Sequence, residues 1–174
     1  MIINNLMGGL GNQLFQISAG FAHAKNIQTE YAINYKIGLG NGQGFHHRRY
    51  KDTLYKNIPK TSHNVFIPYQ DPKFSYTPIS KLNNLCLIGY FQSRKYFLGY
   101  EEEVKNLLHF PISLRTKVQN KLDAIKKKKV GIHLRLGDYR AKSTKGVFHK
   151  IDYSLYLNDA IKQFGDDNEF LIFS

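Results

Sequence analysis

The stretch IINNLMGGLGNQLF, residues 2–15, predicts a short strand, a glycine-rich turn and the start of a helix. Its first part, Ile2 to Met7, is mostly apolar and typical of a buried strand. Residues 12–25 then repeat apolar side chains at helical spacing, and Asn12 stands where a helix N-cap is expected. A strand that enters a helix through glycines indicates an α/β protein.

A second strand-to-turn segment, HLRLGDY, occupies residues 133–139, on the apolar run Val130 to Leu134. A helix from about Asp152 to Phe164, ended by Gly165, and a strand over Phe170 to Phe173 are predicted to follow. Strand, helix and strand in this order predict a βαβ unit with parallel strands. Ligands in open α/β sheets bind beyond the carboxyl ends of strands, so the two polar turns predict one cleft lined from both sides.

Shorter elements are predicted between the two turns from prolines and apolar runs. Four prolines between Tyr50 and Ser80 predict turns and short extended pieces. Strands are predicted over Thr29 to Ile33 and Leu85 to Tyr90, and helices over Ser93 to Leu108 and from Ser113 to Ile125.

Charge and cysteine content limit the function classes. The 174 residues include 25 basic and 13 acidic side chains, a formal net charge of +12. This charge favours an anionic partner: nucleic acid, an acidic membrane surface or a phosphorylated small molecule. Cys86, the single cysteine, cannot form an intrachain disulfide and is interpreted as a small core residue in a reducing compartment.

Targeting signals are the next feature of the sequence. We find neither a signal peptide nor an apolar run of the roughly 20 residues that span a bilayer. The expectation is therefore a cytoplasmic protein, with peripheral contact as the form of membrane association that its charge allows.

Three segments in order, GGLGNQLFQ at 8–16, GYFQSRKYF at 89–97 and HLRLGDY at 133–139, resemble the motifs of the α-1,2-fucosyltransferase family, glycosyltransferase family 11. The resemblance implies transfer of L-fucose from GDP-fucose to the 2-hydroxyl of a galactose-containing acceptor, with inversion and without a metal ion. No cofactor is implied beyond this donor substrate.

The same resemblance implies an α/β fold of the GT-B type, with two Rossmann-like domains. Residues 1–110 would form the N-terminal, acceptor-side domain and residues 111–129 a connecting helix. Residues 130–174 would begin the GDP-fucose-binding domain, which in family members continues beyond this point. The second domain is thus expected to be only begun in this chain.

The resemblance assigns Arg135 to the donor diphosphate. A guanidinium presents a planar fork of donors that matches phosphate oxygens and keeps its charge; the alternative is a surface arginine paired with Asp138. Leu136 stands where many family members have a second arginine, which removes one phosphate contact. His133 lies on the same strand face as Arg135. It either assists at the phosphate or is a satisfied core residue.

Asp138, the carboxylate of this motif, is the candidate general base for the acceptor hydroxyl. Aspartate in such a turn also commonly caps its own backbone, so the base could lie elsewhere or the reaction could proceed without one. In the first motif, the backbone N–H groups of Gly9 and Gly11 could approach an anion at the helix N-terminus. The resemblance places Asn12 against the donor, with simple N-capping as the alternative.

The middle motif contributes side chains that either bind a sugar acceptor or form core: Tyr90, Phe91, Gln92 and Tyr96. His46 and His47 have no cysteine or carboxylate at metal-ligand spacing, so no metal site is predicted.

Two other functions remain open. A nucleic-acid-binding protein would interleave basic residues with exposed aromatics, whereas the basic residues here are scattered, so no nucleic-acid partner is expected. The second alternative is a catalytically inactive remnant that binds the donor weakly or not at all. It is favoured by Leu136 and by a second domain that is only begun.

Overall fold

The residues that the computed structural model describes are 1–38, 46–108, 110–134, 136 and 152–174. They form a mixed α/β protein with parallel strands. The chain divides into two compact units, Met1–Pro111 and Ile112–Ser174.

The first unit is built on a parallel sheet. Its described helices and strands are β1 (Ile2–Asn4), α1 (Leu10–Asn26), β2 (Ile67–Gln70), β3 (Leu85–Ile88) and α2 (Glu101–Leu107). The sheet order is β1-β3-β2, with Ile2 opposite Leu85 and Ile67 also opposite Leu85. Pro68 is tolerated in β2 because this strand lies at the edge of that sheet, where one row of N–H groups needs no partner.

The core of this unit lies between the sheet and α1. Ile2, Ile3, Ile17 and Leu87 are fully buried. β3 alternates, with Leu85 and Leu87 buried and its other residues half-buried. Cys86 is therefore half-buried rather than a core residue, and burial raises the pKa of its thiol.

Two predicted elements of this unit differ from the structure. Residues Thr29 to Ile33 contribute only isolated parallel bridges, from Tyr31 to Ile2 and from Ile33 to Lys60. The helix predicted over Ser93 to Leu108 is divided into a 3-10 turn and α2.

The division of that helix has a local cause. The Glu101 carboxylate accepts a hydrogen bond from the backbone N–H of Gly99 at 2.8 Å and pairs with Arg94 at 2.9 Å. Glu101 to Glu103 form the first turn of α2. Negative side chains in the first turn interact favourably with the positive, N-terminal end of a helix dipole. This favours a new helix that begins at Glu101.

The second unit contains, among its described residues, α3 (Ile112–Ala124), β4 (Lys129–His133), α4 (Tyr153–Phe164) and β5 (Glu169–Phe173). β4 and β5 are parallel, with His133 opposite Phe173. The Asp152 carboxylate caps α4 by accepting from the N–H groups of Ser154 and Leu155. The predicted strand, helix and parallel strand are confirmed.

The helices of this unit bury few of their apolar side chains. In α4, Ala160 is buried and Leu157 packs beside it, whereas Leu155 and Ile161 are exposed. α3 begins at Ile112, one residue before the predicted start at Ser113, and no residue of α3 is buried.

None of the helices in the described part of the chain is both long enough and apolar enough to cross a membrane.

Candidate functional site

The candidate site lies at the carboxyl edge of the first unit's sheet. Because the strands are parallel, their carboxyl ends meet there. The edge carries the turn Gly8–Asn12 after β1, the turn Gly89–Gln92 after β3, and Asp71 directly after β2.

The first turn needs glycine at its start. Gly8 has φ +76°, and a β-carbon there would lie 2.6 Å from Asn12 Nδ2 and 3.2 Å from the Tyr90 ring. By contrast, β-carbons at Gly9 and Gly11 would meet no atom within 4 Å. The backbone at the start of α1 is therefore approachable from outside. Since the first turn of α1 contains no acidic side chain, its N–H groups suit an anion.

Asn12 does not cap the helix, so that interpretation is wrong. The N-cap position belongs to Gly9, which has no side chain to bond the helix N–H groups. Asn12 lies in the first turn, and its Oδ1 accepts a hydrogen bond of 2.6 Å from Gln92 Nε2. Both side chains are at the surface. The first and middle sequence motifs therefore meet at this amide pair.

Two buried glutamines hold the first turn, and the sequence analysis missed both. Gln13 Nε2 donates to the Gly8 carbonyl at 2.9 Å, and Tyr55 Oη donates to Gln13 Oε1 at 3.1 Å. Gln16 Nε2 donates to the Met7 carbonyl at 2.9 Å, while its Oε1 accepts from Met7 N at 3.0 Å. The backbone N–H and C=O groups between a strand and a helix lack the hydrogen-bond partners of regular structure. These two side-chain amides provide such partners. The available signal was glutamine twice on an otherwise apolar helix face.

The second turn is held by Asp71, which the sequence analysis also missed. Asp71 Oδ2 accepts from the Phe91 N–H at 3.1 Å, and Oδ1 accepts from Tyr96 Oη at 3.4 Å. Gly89 has φ +144°, and a β-carbon there would lie 2.2 Å from that of Asp71. No sequence signal pointed to Asp71, since its role depends on the pairing of β2 with β3.

The four candidate side chains of the middle motif divide between core and surface. Phe91 and Tyr96 are buried and pack against each other, with ring centroids 5.3 Å apart. Phe91 adopts φ +50°, a strained conformation for a bulky residue, next to the exposed Gln92. Tyr90 is half-buried. The core interpretation is thus confirmed for Phe91 and Tyr96, while Tyr90 and Gln92 face the carboxyl edge.

His133 ends β4 and is exposed, whereas its neighbours Ile132 and Leu134 are buried against α4. The interpretation of His133 as a core residue is therefore wrong. Arg135 and Asp138 lie outside the described residues, and their roles stay predictions. Leu136 packs against the small core of this unit.

His46 and His47 serve packing. His47 is 2% exposed, and its ring stacks on His46 at 4.1 Å and on Tyr35 at 5.4 Å between centroids. Burial, and then the charges of His46 and Arg48, lower the pKa of His47 to about 4. Across the described ranges, no group of three or more His, Cys, Asp or Glu side chains could hold a metal ion.

Two surface cavities of the first unit lie away from this edge. One of about 350 Å³ is lined by Met1 and Lys25 among others, and one of about 270 Å³ by His23 and Lys95 among others. Neither includes a residue of the turns Gly8–Asn12 or Gly89–Gln92.

Comparison with known proteins identifies the family. The model of glycosyl transferase family 11 matches residues 66–174, which include the middle and last motifs. An alpha-1,2-colitosyltransferase from Escherichia coli is 23% identical over 197 aligned residues, covering 99% of this chain and 67% of that enzyme. No solved structure is significantly similar. Because the family model matches more than half of its residues, this chain belongs to glycosyltransferase family 11.

Proposed function

We propose that this glycosyltransferase transfers L-fucose, or a closely similar deoxy sugar, from a GDP-linked donor to the 2-hydroxyl of a galactose-containing acceptor, with inversion and without a metal ion. The family match over residues 66–174 carries the proposal. The name of the Escherichia coli relative, which specifies an α-1,2 linkage of colitose, supports it. Colitose is L-fucose without its 3-hydroxyl, so both donors present almost the same sugar.

In the proposed reaction, the acceptor oxygen attacks the anomeric carbon of the donor sugar, and the bond from that carbon to the β-phosphate oxygen breaks. GDP leaves with the bonding electrons. Arg135 stabilises the negative charge that grows on the β-phosphate, since a preorganised donor aimed at developing charge contributes about 2.7–4 kcal/mol. The exposure of His133 at the end of β4 supports its role beside Arg135.

The acceptor hydroxyl must lose its proton as its oxygen attacks. We assign this proton to the Asp138 carboxylate. In the first unit, the open backbone of Gly9 and Gly11 and the side chain of Asn12 face the donor. Their accessibility at the start of α1 supports that assignment. The arrangement we propose is of the GT-B type, and the basic net charge of +12 would draw in the anionic donor.

A transfer assay tests the proposal. The chain is incubated with a galactoside and one of three donors, GDP-L-fucose, GDP-mannose or UDP-galactose, with and without a chelator, and products are identified by mass spectrometry and NMR. We expect product from GDP-L-fucose alone, unaffected by the chelator, with the new linkage at the 2-hydroxyl. Transfer from another donor would contradict the assignment of the substrate. Donor binding without turnover would favour an inactive remnant.

A further inference from the structure

An exposed aromatic pair borders the carboxyl edge of the first unit. Phe74 is 80% exposed, and its ring lies nearly parallel to that of Tyr90, with centroids 6.3 Å apart and planes 15° apart. One face of a phenylalanine ring is thus presented to solvent beside a half-buried tyrosine. The core does not account for Phe74, because it belongs to neither buried cluster.

This pair adjoins the polar pair described above. The Tyr90 ring would lie 3.2 Å from a β-carbon at Gly8, a position that also crowds Asn12. Asn12 is in turn bonded to Gln92. A flat apolar surface therefore lies next to exposed amide groups, the combination that a sugar ring needs for its C–H face and its hydroxyls.

Charge selects the kind of ligand. The side chains whose contacts define this surface, those of Phe74, Tyr90, Asn12 and Gln92, carry no charge, and the Asp71 carboxylate lies behind the Gly89 turn. A carboxylate so close disfavours a diphosphate, whereas a neutral saccharide meets no such cost. The surface therefore suits the acceptor better than the nucleotide part of the donor.

We infer that Phe74 and Tyr90 form the platform on which the acceptor galactose ring stacks, with Gln92 at its polar rim. This inference rests on the proposed function, since it assigns the acceptor of the same reaction. Phe74 would then set the affinity for the acceptor without touching the reacting atoms.

Steady-state kinetics of the full chain test the inference with Phe74→Ala, Phe74→Trp and the control Leu82→Ala. Leu82 is also an exposed apolar residue of this unit. We expect Phe74→Ala to raise the acceptor KM about fivefold to tenfold, corresponding to the loss of one aromatic contact. The donor KM and kcat should stay unchanged, and Phe74→Trp should restore the acceptor KM. Leu82→Ala should alter none of these values.

Two kinetic results would overturn the inference: an unchanged acceptor KM in Phe74→Ala, or an increase confined to the donor KM, which would indicate stacking on the guanine base. If the wild-type chain transfers no sugar, the proposed function fails separately. Saturation-transfer NMR with methyl β-galactoside then decides. Ligand signals lost in Phe74→Ala but kept in Leu82→Ala would support the platform. Signals kept in both variants, or absent from the wild-type chain, would overturn it.

Discussion

The side-chain amide of Gln92 donates to Asn12 Oδ1 over 2.6 Å, joining two turns that lie 80 positions apart in the chain. The bond fixes the orientation of the Asn12 amide at the open start of α1. It also connects the turn that follows β1 with the turn that follows β3.

Replacing Gln92 tests this orientation. Gln92→Ala should lower kcat/KM for the donor, and also for the acceptor whose platform it borders, by about threefold to tenfold, because one net hydrogen bond is worth about 0.5–1.5 kcal/mol. The melting temperature should not change, since the pair is exposed. Gln119→Ala is the matched control, an exposed glutamine whose amide bonds Asp123 at 2.8 Å on α3. Equal kinetics for wild type and Gln92→Ala would show that Asn12 needs no such support.

The buried amide of Gln13 should matter for stability. Gln13→Leu leaves the Gly8 carbonyl and the Tyr55 hydroxyl without this partner. Each unpaired buried group costs about 1–3 kcal/mol, which urea unfolding would measure. The double variant, Tyr55→Phe with Gln13→Leu, has no Tyr55 hydroxyl and therefore leaves no hydroxyl unpaired at that position. The free energy of unfolding should therefore fall by less in the double variant than the sum of its decreases in the two single variants. Strict additivity would refute the Tyr55–Gln13 interaction.

Asp71 is predicted to hold the second turn. Asp71→Ala removes the acceptor of both the Phe91 N–H and the Tyr96 hydroxyl, and should lower the free energy of unfolding by about 1–3 kcal/mol. Asp71→Asn keeps one side-chain acceptor, so its free energy of unfolding should fall by less than that of Asp71→Ala. Asp166→Ala, at an exposed position of the second unit, serves as the control. A loss no larger than that of Asp166→Ala would contradict the assigned role.

His47 should make stability depend on pH. Its pKa is about 4 when folded, against 6.5 in the unfolded chain, because the buried ring resists charging. Between these values the unfolded chain binds more protons, so stability falls as pH falls. The loss from pH 7 to pH 5 should be about 2 kcal/mol.

Chemical unfolding of wild type and His47→Phe at the two pH values measures this dependence. His47→Phe keeps a stacked ring without a titrating group and should lose less stability on acidification. Burial also lowers the pKa of His23. This histidine is present in both proteins, so it adds the same pH dependence of stability to each. The same pH dependence in both would show that His47 does not cause it.

The elements predicted best from the sequence are those with local causes. β4, α4 and β5 were expected nearly where they occur, since Asp152 caps the helix, Gly165 ends it and the flanking runs are apolar. Parallel pairing followed from the crossover through a helix. In α1, however, the predicted start at Asn12 was wrong because a glycine takes the N-cap position.

The parts that sequence reasoning missed depend on contacts between distant residues. Gln13 acquires its role only when Tyr55 reaches it across the fold, and Asp71 only when β2 pairs with β3. Gln92 and Asn12 were both recognised as candidate polar groups, but their hydrogen bond to each other was not predicted. Hydrophobic periodicity predicts which side chains lie inside, and it does not predict which polar groups meet.

Donor binding tests the account most directly. GDP-L-fucose is titrated by calorimetry into the wild-type chain, Arg135→Ala and the control Arg115→Ala, which changes an exposed arginine of α3. We predict saturable binding by wild type and Arg115→Ala, with affinity reduced about tenfold to a hundredfold in Arg135→Ala, since a charge-assisted contact is worth about 1.5–3 kcal/mol. Absence of saturable binding at millimolar donor, or equal affinity in Arg135→Ala and wild type, would contradict the claim that this chain anchors the donor diphosphate.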